Sequence, residues 1–206
     1  MKTYEEQQTL VSQLNVMDDL FFQKMVEDMD VCEEMLRVLL TMPALKIAQT
    51  QPQRFIRNVD AHSVVLDLLC EDENGNIITV EVQKTDNDDH QKRMRYNLAN
   101  IDTTFVEKGI KYADLPDIYA IFISPFDLFR ANCTAYHVNR CLLKTGDIVN
   151  NGIHELYVNA TVNDSSDIAE LMQYFMNGNV PEIVVGRCDH TPPLTYPLCC
   201  RTISSK

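Results

Sequence analysis

Glycine is scarce in this chain, six in 206 residues, and nowhere do the glycines cluster into a loop that could cradle a nucleotide's phosphates. No Gly-x-Ser-x-Gly is present either, which removes the strained nucleophile elbow of the α/β-hydrolases. The five histidines (His62, His90, His137, His154 and His190) form no His-x-x-x-His pair, and the seven cysteines no Cys-x-x-Cys. Zinc sites of the usual spacing are therefore excluded. No apolar run approaches the ~18 residues that a membrane-crossing helix needs. The opening MKTYEEQQTL is acidic and polar, unlike a basic-then-apolar signal peptide. An odd cysteine count without paired spacing reads as reduced thiols in a cytoplasmic protein. Cys32, Cys70 and Cys141 lie among apolar neighbours, as small core residues do.

Positive charge is also in short supply. Eighteen Lys and Arg face thirty Asp and Glu, a formal net charge of −12. Non-specific coating of nucleic acid is driven by phosphate neutralisation, so this balance argues against a generic DNA coat and predicts weak, salt-sensitive binding. A metal and a local basic patch can still hold a single scissile phosphate. With 45% hydrophobic and 23% charged residues, the length suits one globular α/β domain with a substantial core.

What is present concentrates between Val64 and Lys84, VVLDLLCEDENGNIITVEVQK. Two apolar strands flank a polar turn. A two-residue Asn-Gly loop would send Asp67 and Glu81 to opposite faces. A three-residue loop, Glu73-Asn74-Gly75 with Gly75 at the positive-φ position of a G1 bulge, sets them opposite each other. Only that register sorts the chemistry. Val64, Leu66, Leu68, Cys70, Ile78, Val80 and Val82 then share an apolar face. Asp67, Glu81 and Gln83 share the other with Val65, Leu69 and Thr79. Two facing carboxylates on buried-type strands repel and desolvate badly, and a divalent cation between them relieves both costs. Oxygen donors suit Mg²⁺ or Mn²⁺ better than zinc. The neighbouring Glu71-Asp72-Glu73 reads as a solvated hairpin tip.

An Asp on one strand, Glu-x-Gln or Glu-x-Lys on the next, and a helix with Arg-x-Arg-Tyr resembles the PD-(D/E)XK nuclease family transposases, the Rpn-like recombination-promoting nucleases. The residues concerned are Leu66-Asp67, Gly75, Glu81-Val82-Gln83 and Arg93-Met94-Arg95-Tyr96. Gly109-Ile-Lys-Tyr112-Ala-Asp-Leu115-Pro116 and Tyr119-Ala-Ile121-Phe-Ile123 also look like the family. The resemblance extends from about Asp18 to Asn177. It implies a restriction-endonuclease-like mixed central sheet flanked by helices, and Mg²⁺-dependent (or Mn²⁺-dependent) hydrolysis of DNA. Asp67 and Glu81 would be catalytic and metal-binding, with the Val82 carbonyl as a further ligand. Gln83 stands where many relatives carry a catalytic Lys; glutamine can orient a water but carries no charge. Arg93, Arg95, Tyr96 and Lys84 are candidate substrate contacts, although strand alternation turns Lys84 away from the face of Glu81. Family members place an acid near the first helix, and Asp19 is the nearest match, though a helix cap is the preferred reading of it. The resemblance leaves a homodimer open. Its rivals are a catalytically degenerate nuclease fold acting in binding, and a hydrolase of RNA or small phosphoesters.

Around this centre, helices are expected after Asp18-Asp19, over about 31–42, over about 88–108 (Met94, Leu98, Ile101 and Phe105 inward with Ala99, Gly109 as the stop) and over 166–177. Asp86, Asp88 and Asp89 read as caps for the third helix. Strands are expected within 44–60 after a loop containing Pro52, and over 117–124, 136–143 and 156–162. Residues 1–177 thus form the nuclease-like domain. The remainder, 178–206, is a divergent tail rich in proline (Pro181, Pro192, Pro193, Pro197) and cysteine (Cys188, Cys199, Cys200).

Overall fold

A computed structural model describes residues 16–56, 63–105 and 109–177; the expected tail lies outside them. In chain order the elements are α1 (Asp19–Val26), α2 (Met29–Leu40), β1 (Ile47–Ile56), β2 (Val64–Asp72), β3 (Ile77–Val82), α3 (His90–Phe105), a 3₁₀ turn (Tyr112–Asp114), β4 (Ile118–Ser124), β5 (Ala135–Val138), β6 (Ile153–Asn159) and α4 (Asp167–Asn177). The strands form one six-stranded mixed sheet in the order β1-β2-β3-β4-β6-β5. β3, β4 and β6 run parallel, whereas β1, β2 and β5 pair antiparallel with their neighbours.

The alternation of apolar residues assigns the two faces. Ile78, Val80, Val82, Ile121, Ile123, Leu156 and Val158 pack with Phe22, Val26, Leu36, Leu39, Met172 and Phe175, so α1, α2 and α4 cover one side. Ile77, Ile118, Ala120, Phe122 and Tyr157 pack with Met94, Leu98 and Ile101 of α3 on the other. Both faces of the central strands are thereby removed from water, as parallel strands require. α2 is capped by the Asp28 carboxylate, which accepts from the amides of Asp30 and Val31, and it ends at Thr41 with φ 53°.

Several expectations need correction. β1 runs straight through Pro52; an edge strand tolerates proline because one row of its backbone groups has no ladder partner. Ala99 faces solvent, and the residues α3 buries beside its apolar stripe are Asn97 and Asn100. Cys141 is exposed, whereas Cys32 and Cys70 are buried with their sulfurs 3.8 Å apart. β5 ends at Val138; Leu142 and Leu143 stand out in the following hairpin, exposed. Asp72 is not solvated but 5% exposed, its carboxylate accepting from the amides of Asn74 and Asn76 and from the Asn76 side chain. That Asx-type bonding is what holds the turn.

Candidate active site

The hairpin adopts the three-residue loop. Leu68 pairs with Val80, Leu69 with Thr79, Cys70 with Ile78 and Glu71 with Ile77. Gly75 has φ +83°, and its N–H donates to the Asp72 carbonyl. This register brings Asp67 level with Glu81, but the β2–β3 ladder ends at Leu68 and Val80, one pair short of them. Across β1, Gln53 has φ 49° between the pairs Pro52–Leu68 and Arg54–Leu66. β2 changes side in the same step. Leu68 and Cys70 pack under α1, α2 and α4, whereas Val64 and Leu66 pack with α3. The single apolar face expected for Val64, Leu66, Leu68 and Cys70 is therefore split at Asp67, because regular alternation breaks there. With β2 turned aside, the Asp67 carboxylate itself replaces the missing strand partner, its Oδ2 accepting from the Val82 N–H at 2.8 Å. The next amide, of Gln83, donates the other way to the Ile123 carbonyl.

Glu81 is 8% exposed on the α3 side of the sheet. Its Oε1 accepts from the Asn97 side-chain amide at 3.1 Å. Burial, then the charge of Asp67, push its carboxyl up to about 8, against a smaller opposing pull from Arg93. Asp67 is raised as well, chiefly by burial and further by Asp19, while the Val82 amide and Arg93 act to lower it. Arg93 Nη1 donates to Gln83 Oε1 at 2.5 Å, and its Nη2 lies 3.6 Å from Asp89. So Arg93, Asn97, Gln83, Glu81 and Asp67 meet at one place.

Lys84 goes elsewhere, as alternation requires. Its ammonium donates to Asp18 at 2.5 Å and lies 4.0 Å from Asp19, at the start of α1. Asp18, not Asp19, occupies the cap position of that helix, and its side chain makes no cap bond. Asp19, in the first turn, is exposed yet close enough for its charge to act on Asp67. Lys92 and Arg95 are exposed on α3, and Tyr96 is half-buried. Asp88 adopts φ 59° and the Asp86 carboxylate lies 3.1 Å from Nε2 of buried His90. The last polar residue at the site, Asn97, had one sequence signal: it follows Arg93 by one helical turn on the side of α3 that also carries Met94 and Leu98.

Among the described residues no group of three or more His, Cys, Asp or Glu is placed to hold a metal ion. The donors at hand are the two carboxylates and backbone oxygens. Their chemistry fits a hard divalent cation completed by water, and the charge of Asp67 acting on Glu81 is the repulsion that such a cation reverses. No helix among the described residues is long and apolar enough to cross a membrane.

A mixed sheet covered on both faces, with paired carboxylates where two antiparallel strands part, defines a restriction-endonuclease-like α/β protein. Residues 20–165 match the PD-(D/E)XK nuclease family transposases, and the chain belongs to that family. The family is a nuclease one, which supports a nuclease-type function. No curated protein and no solved structure gives a significant match.

Proposed function

We propose that the protein is a metal-dependent DNA endonuclease whose centre is Asp67 and Glu81. The observation that carries this reading is a buried Glu81 beside a half-buried Asp67, both raised, with Arg93 as the one cation among the described residues that acts on both. Asp67, Glu81 and the Val82 carbonyl would hold Mg²⁺ or Mn²⁺, which when bound lowers the pKa of an attacking water and neutralises charge developing on the phosphate. Gln83, fixed by Arg93, orients a water through its amide; Arg93 supplies the positive charge that Gln83 lacks. Lys92 and Arg95, exposed on the same helix, and Tyr96 would contact backbone phosphates of the substrate in this reading. The products of hydrolysis are a phosphate end and a hydroxyl end. Strand transfer has no counterpart among these residues.

Plasmid nicking by the purified protein at low salt, with Mg²⁺, Mn²⁺ or EDTA, tests the reading. Asp67→Ala and Glu81→Ala should each lower metal-dependent nicking at least about a hundredfold while the fold persists. Full activity in either variant would remove these residues from the site. A second reading, a degenerate nuclease fold that binds without cutting, is favoured by one observation. The only lysine beside the Glu81-x-Gln83 pattern, Lys84, is engaged by Asp18 and Asp19. A well-folded protein that shows no nicking under any metal would favour that second reading.

A further inference from the structure

The polar residues of α3 meet those of β3 in step. A helix advances about 1.5 Å per residue and a strand about 3.3 Å, so four helical residues span nearly the same length as two strand residues. Arg93 accordingly reaches Gln83, and Asn97, one turn later, reaches Glu81. Asn97 is 3% exposed and is flanked by the buried Met94, Leu98 and Ile101. An apolar residue would serve packing better here, since a buried amide without its partners costs ~1–3 kcal/mol. The site also dictates which polar residue is tolerable. A cation in place of Asn97 would neutralise Glu81 and compete with any metal. An acid would add a third repelling charge. A neutral donor fixes one carboxylate oxygen and leaves the charge in place. Among the described residues that donor reaches Oε1 alone, and Oε2 receives none.

We propose that Asn97 is a positioning residue, holding Oε1 of Glu81 so that Oε2 faces a divalent cation shared with Asp67. The proposal rests on the nuclease reading for its purpose and on the Asn97–Glu81 hydrogen bond for its substance. Neutral partners that orient a metal-binding side chain commonly change metal affinity by about 10–100-fold when removed.

The experiment is Mn²⁺ binding followed by electron paramagnetic resonance on the full chain, without DNA. Wild type is compared with Asn97→Leu, which keeps the volume and loses the donor, and with Asn97→Gln, which keeps an amide. Asn97→Leu should bind Mn²⁺ about tenfold more weakly, with Asn97→Gln recovering part of the loss. Equal affinity in wild type and Asn97→Leu would overturn the positioning role, and if the wild type nicks DNA it would do so without touching the nuclease reading. Wild-type protein that binds no Mn²⁺ would overturn both. A second measurement needs no Asn97 variant. The side-chain amide resonances of Asn97 should move when Mg²⁺ is added to the wild type and stay still in Glu81→Gln. Resonances that do not move in the wild type would overturn the proposal even if Asn97→Leu fails to fold.

Discussion

Glu81 has little to keep it charged: a neutral amide from Asn97, the more distant field of Arg93, and Asp67 pushing against both. The pH consequence follows from linkage. A carboxyl raised from 4.5 to about 8 keeps its proton in the folded protein over a range where the unfolded chain has released it. The folded state then binds more protons than the unfolded one, so stability falls as pH rises through that window and is lowest above it. Asp67, raised in the same direction, adds to the trend. Metal-free protein should therefore melt at progressively lower temperature from about pH 5 to about pH 8, a loss on the order of a few kcal/mol. Glu81→Gln, which retains the shape and cannot ionise, should flatten the curve and raise the melting temperature above pH 8 by several degrees, at roughly 2–4 °C per kcal/mol. Parallel melting curves for the two proteins would show that Glu81 is not the group responsible.

At the scale of elements, the end of β3 decides which side chains can serve the site. Glu81 and Gln83 face α3, and Lys84 reaches across to α1. Gln83→Ala should slow nicking more than Lys84→Ala, because it removes the partner that fixes Arg93 beside the carboxylates. Lys84→Ala loses a partly exposed ion pair, worth at most about 1 kcal/mol of stability. Single-turnover nicking rates of the two variants settle the order; a larger loss from Lys84→Ala would mean that the ammonium leaves Asp18 for the substrate. The alternation behind this assignment is legible in the text VEVQK, since the period of a strand is two. The break at Asp67 is not legible. Val64, Leu66, Leu68 and Cys70 look like one uniform stripe. Only the left-handed Gln53 on the neighbouring strand, and the end of the ladder at Leu68 and Val80, show that the stripe changes sides.

Over the whole molecule, the net charge of −12 opposes any extended hold on DNA. In the proposed reading, binding would come from a few local cations on α3, of which Lys92 and Arg95 are exposed. With two or three phosphate contacts, the logarithm of DNA affinity should fall with the logarithm of salt concentration at a slope of about −2 to −3, and Arg95→Ala should make that slope shallower by about 1. Fluorescence anisotropy on a short duplex, using the Asp67→Ala protein to prevent cutting, gives both slopes. An unchanged slope in the Arg95→Ala background would place the phosphate contacts on another surface.

The sequence by itself determined the three-residue turn at Gly75, the register that brings Asp67 level with Glu81, the facing of Gln83 toward the same side, and the resemblance to the family. All of these follow from short-range periods and turn chemistry, which neighbouring residues dictate. Tertiary structure alone decided the rest. Asn97 reaches Glu81, Arg93 grips Gln83, Lys84 is engaged by α1, and β2 changes side at Asp67, whose carboxylate takes the Val82 amide. Each of these depends on how far a helix is carried along a strand, or on a kink in a chain segment more than ten residues away. Local periodicity carries no information about such distances, because packing between elements sets them.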